Sequence, residues 1–259
     1  MLTLSRADSI KYYEDSIYRE KINKKNKQLS LNLTGKNMNT RFASTNVRCV
    51  VNDVSILSSV HTLDLSNRAD IVDISSLNLV HKLDLSCCKY ISDVSSLGLV
   101  HTLNLSNCYN IFDVSNLGKV HELNLRCCYN VSDVSMLGSV HTLNLYECKN
   151  IKDVSMLGLV HTLNLMSCEN IFDISNLKSV NTLDLRECKK IKDIGYLKNT
   201  KILRIDEKVY GLHLLKNLEE LTISEKCHKK MKGEINKLKK INTKIYIKIK
   251  KNWNNKALE

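Results

Sequence analysis

The chain is built around a twenty-residue sequence that repeats without gaps. Its clearest copy is VHTLNLSNCYNIFDVSNLGK at 100–119, and the copy at 160–179 is identical to it at 14 of 20 positions. A fixed period of this length is typical of a solenoid, in which each unit packs only against its neighbours. The other copies start at Val60, Val80, Val120, Val140 and Val180.

Each copy contains a strand signal followed by a segment too short for a helix. Leu103 and Leu105 alternate with polar residues, which indicates a strand with one buried face. The segment 111–120 has about ten residues and contains β-branched Ile and Val, which are poor helix formers. The pattern predicts stacked parallel strands on one side and short 3₁₀ or extended segments on the other.

The unit can be written V-H-x-L-x-L-x-x-C-x-x-I-x-D-[VI]-S-x-L-x-x. This template resembles leucine-rich repeats of the cysteine-containing subclass, and its I-x-D-V-S-x-L half is similar to internalin repeats. The V-H-T-L-N-L wording is similar to repeat proteins of giant DNA viruses that infect amoebae (mimivirus-like). The resemblance covers about 50–225. It implies an α/β solenoid, a leucine-rich repeat horseshoe with a parallel β-sheet on the concave face and short 3₁₀ or extended segments on the convex face.

We expect three regions, because an open solenoid needs a cap at each end. The N-terminal cap spans 1–45, the solenoid 46–225 with seven clear units at 60–199, and a lysine-rich C-terminal cap 226–259. In the first cap we predict a helix over 5–27, with Ile10, Tyr13, Ile17 and Ile22 on one face, and a short strand through Leu29, Leu31 and Leu33. In the last cap we predict a helix over 228–241 with Met231, Ile235, Leu238 and Ile241 or Asn242 on one side, and a strand through Ile245, Ile247 and Ile249. A separate partner-binding helix is the alternative reading of the N-terminus.

Charge and cysteine usage suggest a reduced, intracellular protein. The formal net charge is +12, and 189–259 carries 20 Lys and Arg against 8 Asp and Glu, so the excess lies in the last quarter. We find no signal-peptide core at the N-terminus and no apolar run of about 20 residues. We therefore expect no transmembrane segment, a reducing intracellular location (the host cytoplasm if viral) and a monomer. Six cysteines share one inward-facing template position, namely Cys88, Cys108, Cys128, Cys148, Cys168 and Cys188.

Two polar columns suggest structural roles. A histidine follows the first Val of six units, and crowded imidazoles should lower one another's pKa values by like-charge repulsion. A metal site is the alternative, but a straight ladder offers only two neighbouring donors where ligation needs three or four. An aspartate precedes each turn, where a carboxylate caps free backbone N–H groups. We therefore predict no metal and no cofactor. The histidines are His61, His81, His101, His121, His141 and His161. The aspartates are Asp53, Asp73, Asp93, Asp113, Asp133, Asp153, Asp173 and Asp193.

The columns that vary suggest a binding surface. Positions equivalent to 64 hold Asp or Asn in every unit and should tile the exposed face of the sheet, whereas those equivalent to 66 and 67 change from unit to unit. Solenoids bind partners on such patterned concave surfaces, and Tyr and Arg are enriched at interface hot spots. We predict a non-enzymatic scaffold that binds a protein partner, and random drift on a solvated face is the alternative. The predicted partner-binding residues are Glu122, Arg126, Tyr146, Glu147, Met166 and Arg186.

The basic C-terminus suggests a second function. A dense cluster of lysines attracts phosphate groups, so this region could bind nucleic acid or an anionic membrane electrostatically. Lys rather than Arg dominates, which argues against sequence-specific readout. No catalytic motif stands out from the repeat columns. The predicted phosphate-binding residues are Lys229, Lys230, Lys232, Lys237, Lys239 and Lys240.

Overall fold

A computed structural model describes residues 2–25, 28–34 and 53–251. The chain divides into two compact units, Met1–Val131 and Ser132–Glu259. The predicted boundary between the N-terminal cap and the solenoid, at 45/46, lies outside the described residues.

The first unit begins with β1 (Leu2–Thr3), α1 (Arg6–Glu14), α2 (Ser16–Lys25) and β2 (Leu29–Asn32). The prediction of one continuous helix over 5–27 is wrong, because the helix is divided at Asp15. The carboxylate of Asp15 accepts hydrogen bonds of 2.9 Å from the backbone N–H groups of Ile17 and Tyr18, which caps a second helix. The predicted buried face is also wrong: Tyr12 is fully buried and Ile17 is 79% exposed.

The repeats of the first unit form short parallel strands. They are β3 (Thr62–Asp64), β4 (Lys82–Asp84), β5 (Thr102–Asn104) and β6 (Glu122–Asn124). Strands β1 to β6 pair in chain order, each parallel to the next, so that Leu63 lies beside Leu83 and Leu83 beside Leu103. The 3₁₀ turns on the opposite side are Ser55–Leu57, Ser75–Leu77, Ser95–Leu99 and Ser115–Lys119.

The second unit continues the pattern and ends in helices. Its strands β7 (Thr142–Asn144), β8 (Thr162–Asn164), β9 (Thr182–Asp184), β10 (Ile202–Ile205), β11 (Glu220–Ser224) and β12 (Tyr246–Lys250) also pair in parallel and in chain order. Its 3₁₀ turns are Ser135–Leu137, Ser155–Leu157 and Leu212–Leu214. The predicted fold class, a leucine-rich repeat solenoid of parallel strands and short 3₁₀ turns, is confirmed.

Between β11 and β12 lie α3 (Glu225–Lys230) and α4 (Lys232–Ile241). The single helix predicted over 228–241 is wrong in two respects, because it is divided at Met231 and begins earlier, at Glu225. The earlier start follows from Ser224, whose hydroxyl accepts a hydrogen bond from the N–H of Cys227 and caps α3. The predicted apolar face is correct for Met231, Ile235 and Leu238, which are buried, but not for its last position, since Ile241 is exposed and Asn242 is half-buried.

The predicted inward columns form the core. The two strand leucines of each repeat are buried in both units, as are the residues equivalent to Ile71, Ile74 and Leu77 in the turn. The aspartate column caps the turns as predicted: the carboxylates of Asp73 and Asp133, for example, accept 2.9 Å hydrogen bonds from the N–H groups two residues later.

Glycine appears on the turn side where neighbouring coils approach closely. A Cβ atom on Gly138 would lie 2.4 Å from the carbonyl oxygen of Met156 in the next coil. Gly98 and Gly158 face equivalent carbonyl oxygens at the same distance. A Cβ atom added at one of these three glycines therefore requires the facing carbonyl group to shift.

Leu143→Ala should destabilise the protein, because Leu143 is 1% exposed and its loss leaves a cavity. We expect a cost of about 2–5 kcal/mol in the free energy of unfolding. Thr142→Ala, at the half-exposed neighbouring position, should change it by less than about 0.5 kcal/mol. Urea denaturation measures both, and equal losses would contradict the assigned alternation.

Gly138→Ala should cost about 1–3 kcal/mol through overpacking against the next coil. The matched control is Gly233→Ala in α4, where no atom lies within 4 Å of the added Cβ. There alanine should stabilise the helix by up to about 1 kcal/mol. If both variants unfold at the same urea concentration, the close approach of the coils does not depend on glycine.

Candidate partner-binding surface

Each repeat strand ends after three residues because the backbone turns sharply. The side chains of Asn124 and Asn144 accept 3.0 Å hydrogen bonds from the backbone N–H groups of Arg126 and Tyr146. The whole column equivalent to 64 makes this turn, so the prediction that it simply tiles the exposed face is wrong: its members are half-buried or buried. Their polar atoms hold the end of each strand.

The next column adopts a left-handed backbone conformation. In this conformation the N–H of Glu147 donates a 2.9 Å hydrogen bond to the carbonyl of Met166 in the next coil. Asparagine tolerates positive φ, but most other residues rarely adopt it. Positions equivalent to 66 and 67 therefore form a corner after the strand. The prediction that they are exposed positions within the strand is wrong. The residues with φ between 58° and 61° are Asn67, Cys87, Asn107, Cys127, Glu147, Ser167 and Glu187.

Four of the six predicted partner-binding residues are accessible. In the first unit, Glu122 is exposed at the start of β6 and Arg126 is half-buried at the following corner. In the second unit, Tyr146 and Glu147 are half-buried at the corner after β7. We call the outward side chains of the strands, together with the two corner residues after each strand, the sheet-side surface.

The other two predicted residues are not exposed. Met166 is 5% and Arg186 is 7% exposed, so the prediction that they present an open surface is wrong. The guanidinium of Arg186 binds the carboxylate of Asp184 through Nε, at 2.9 and 3.0 Å, and through Nη2, at 2.6 Å. Burial alone would lower the pKa of Arg186, but the hydrogen bonds and charge of Asp184 raise it above its ordinary value. Arg186 is therefore a structural cation.

The histidine column is a ladder of close rings. Ring centroids lie 4.7 Å apart for His61 and His81, 4.6 Å for His81 and His101, and 4.6 Å for His141 and His161. Burial lowers the pKa of His81, and the charges of His61 and Lys82 lower it further. Burial also lowers the pKa of His101, followed by the charge of His81. Repulsion between the imidazoles thus contributes to the lowered pKa values of His81 and His101, as predicted, but their burial is the larger cause.

The cysteine column points inward and donates to the backbone. The thiols of Cys88 and Cys188 donate to the carbonyls of Leu65 and Leu165, at 3.2 and 3.0 Å. Burial raises the pKa of Cys88 to about 12, so its thiol stays protonated. In the first repeat Arg68 replaces the cysteine, and its Nη1 donates to the carbonyl of Leu33 at 3.0 Å. All nine described cysteines are free thiols.

The predicted phosphate-binding lysines are all exposed, two on α3 and four on α4. Lys229 pairs with Glu225 at 2.8 Å and Lys237 with Glu234 at 3.2 Å, which neutralises two of the six charges. Their role in binding remains a prediction.

Two open grooves of about 400 and 480 Å³ lie on the turn side of the second unit. The carboxylates of Asp133, Asp153 and Asp173 line them, but each accepts a backbone N–H from the serine two residues later. Among the described residues, no three His, Cys, Asp or Glu side chains are placed to hold a metal ion. Within the same ranges, no helix has the length and apolar character needed to traverse a bilayer.

Comparison with known proteins gives no family. No family model matches the sequence, and no curated protein matches it significantly. The chain is similar to the functional domain of InlJ from Listeria monocytogenes, described as including a cysteine ladder, with 19% identity and a TM-score of 0.42. That match covers 76% of this chain and 51% of the InlJ chain, so this chain spans about half of it. A leucine-rich repeat protein of Leptospira interrogans matches with 12% identity and a TM-score of 0.32, over 95% of this chain and 99% of that one. Both TM-scores are below 0.5, so the fold assignment depends on the strands and turns described above.

The histidine ladder should make stability depend on pH. As the pH falls, His81 and His101 become protonated near the ordinary pKa of 6.5 in the unfolded chain and only at a lower pH in the folded chain. The contribution of these two histidines to the free energy of unfolding is therefore fully present above pH 6.5. It is lost as the pH falls through their lowered folded-state pKa values. The urea midpoint of the wild type should fall more steeply between about pH 7.5 and about pH 5.5 than that of His81→Gln/His101→Gln. Parallel decreases in the two proteins would contradict this.

Proposed function

We propose that the chain is a non-enzymatic repeat scaffold that binds a protein partner on its sheet-side surface. The observation that carries this proposal is the contrast between columns. The two inward strand positions hold leucine in every unit from 60 to 199, whereas corner residues change from serine in the first repeats to Arg126 and Tyr146 later. A regular backbone with varied outward side chains is the arrangement by which solenoids recognise partners.

The second unit supplies the clearest anchor. Tyr146 is half-buried at the corner after β7, with Glu147 beside it. A partly buried tyrosine offers a large contact area at low cost in side-chain entropy, and tyrosine is enriched among residues that dominate binding energy. In the first unit, Glu122 and Arg126 are the equivalent predicted contacts. Met166 and Arg186 support the fold rather than bind.

The proposal extends to a host-directed role. The resemblance of the V-H-T-L-N-L segment to giant-virus repeat proteins supports a viral origin. A viral scaffold of this kind would bind a host protein in a reducing cytoplasm. The free thiols of the inward cysteine column are compatible with that location.

Electrostatic binding of phosphate groups is the second candidate. Four of its predicted lysines, Lys230, Lys232, Lys239 and Lys240, are exposed and form no ion pair with any described residue. Such binding would weaken steeply with salt, whereas contacts centred on Tyr146 would not.

Affinity capture from amoebal lysate tests the proposal. We compare the wild type with Tyr146→Ser and with a control, Tyr196→Ser, which removes a 49% exposed tyrosine from a turn segment of the same unit. A protein retained by the wild type and the control, but reduced at least about tenfold by Tyr146→Ser, would support the sheet-side surface. Each capture is repeated with nuclease and at high salt. Retention that is insensitive to Tyr146→Ser but lost with nuclease would assign binding to the lysine-rich region instead.

A further inference from the structure

The turn side of the second unit carries exposed apolar side chains. Met136, Met156, Leu159 and Phe172 are 62, 61, 81 and 69% exposed. By contrast, strands β3 to β11 have no exposed large apolar side chain in the part of the chain that the structure describes. Scattered exposed apolar residues are normal on a protein surface, so these four require an explanation only if they are contiguous.

The four side chains form one patch. Met136 and Met156 occupy the same template position in successive coils, and the coils approach so closely that a Cβ atom on Gly138 would lie 2.4 Å from the carbonyl oxygen of Met156. Met156 lines one of the two turn-side grooves and Phe172 lines the other, and the two grooves share one wall. Leu159 follows Met156 by three residues in the same coil. We call these four residues the turn-side apolar patch.

The patch has the size of the apolar part of a standard protein interface. Side chains of this size at these exposures contribute about 100–150 Å² each, so the four together expose about 400–600 Å². A standard interface buries about 800 Å² on each partner, of which about 450 Å² is apolar. The turn-side apolar patch is therefore large enough to form the centre of a stable contact.

The charged side chains around the patch indicate what covers it. The four turn segments that begin at 131, 151, 171 and 191 carry four aspartates and four lysines, and all eight side chains are exposed. The four aspartates and two of the lysines stand at the start of the turns, whereas Lys178 and Lys198 stand near the end of theirs. One edge of this face is therefore negative by two charges, and the other edge is positive by two.

Such a face is complementary to a copy of itself. In an isologous dimer the same surface of both copies meets across a two-fold axis. An axis parallel to the stack of coils sets the aspartate edge of one copy against the lysine edge of the other. Opposite charges then meet along both edges, with the apolar side chains between them, which is the arrangement that favours specific association.

The first unit lacks this complementarity. Its turn side also exposes large apolar side chains, among them Leu79 and Leu99 at 73 and 67%. Its described turn segments between 53 and 120, however, carry four aspartates and a single lysine, Lys119. Two copies of that face would repel each other, because like charges set opposite each other are unfavourable. The charges therefore favour the turn side of the second unit as the contact between copies.

We propose that two copies of this chain associate through the turn-side apolar patch, with the aspartate edge of each copy against the lysine edge of the other. Exposed methionine suits such a contact, since its flexible thioether adapts to the opposing surface. The strands lie on the other side of the coils, so both sheet-side surfaces stay free to bind a partner. The monomer expected from the sequence is then the dilute state of a monomer–dimer equilibrium.

Sedimentation equilibrium of the full chain tests the proposal, at about 0.15 M salt to screen the net positive charge. We expect the weight-average mass to rise from that of one chain towards that of two between about 1 and about 200 μM. Met156→Gln/Leu159→Gln should weaken this association at least about tenfold. The matched control is Leu79→Gln/Leu99→Gln, which changes two exposed leucines at the template position of Leu159 in the first unit. It should weaken association less than about twofold.

Two results would overturn the proposal. One is a mass that stays at that of one chain over the whole concentration range. The other is equal weakening of association by the patch variant and its control. All four substituted side chains are exposed, so we expect both variants to remain folded, which circular dichroism measures.

Charge reversal tests the orientation of the two copies without changing the patch. Lys178→Glu/Lys198→Glu sets carboxylates against the aspartate edge and should weaken association at least about tenfold. The control, Lys239→Glu/Lys240→Glu on α4, lowers the net charge equally and should leave association unchanged or strengthen it, because the whole chain is positively charged. If Lys178→Glu/Lys198→Glu strengthens association, or if the two variants behave alike, the proposed pairing is wrong.

Discussion

The structure depends on one constraint: each inward side chain must pack against its own copy one coil away. Parallel strands lie about 4.8 Å apart, and the register places Leu63 beside Leu83 and Leu143 beside Leu163. Apolar side chains satisfy this constraint because identical neighbours fill the space between them. A polar side chain satisfies it only if its polar atom finds the backbone, as the thiol of Cys168 does by donating to the carbonyl of Leu145 at 3.1 Å.

The same repetition brings like charges together on the surface, and local hydrogen bonds decide the outcome. Hydrogen bonds from the backbone N–H and the side chain of Ser155 lower the pKa of Asp153 by more than burial and the charges of Asp173 and Asp133 raise it, so the carboxylate remains charged and caps its turn. In the histidine ladder, burial and neighbouring charges together favour the neutral ring at His81. In both cases the deprotonated form is favoured, which leaves Asp153 charged and His81 neutral.

The period-two pattern predicted the strands, the inward columns and the capping aspartates because these depend on local spacing. The left-handed corner could not be predicted, since only Asn67 and Asn107 in that column are residue types that favour positive φ. Exposure was misjudged at Arg186 because its burial depends on a specific pair with Asp184, which the alternation does not encode.

The thiol ladder has a direction. The thiols of Cys88, Cys108, Cys128, Cys168 and Cys188 each donate to a carbonyl of the preceding coil. In the first coil Arg68 takes this place: its guanidinium donates to the carbonyl of Leu33 and is held by Asp70. A duplication or deletion of one twenty-residue unit inside the cysteine-bearing repeats leaves every donor matched to an acceptor. The same event at the unit that contains Arg68 would leave a bulky cation inside the array or a cap without its donor. Changes in repeat number are therefore favoured in the interior, and the cap interface acts as a fixed starting point for the array.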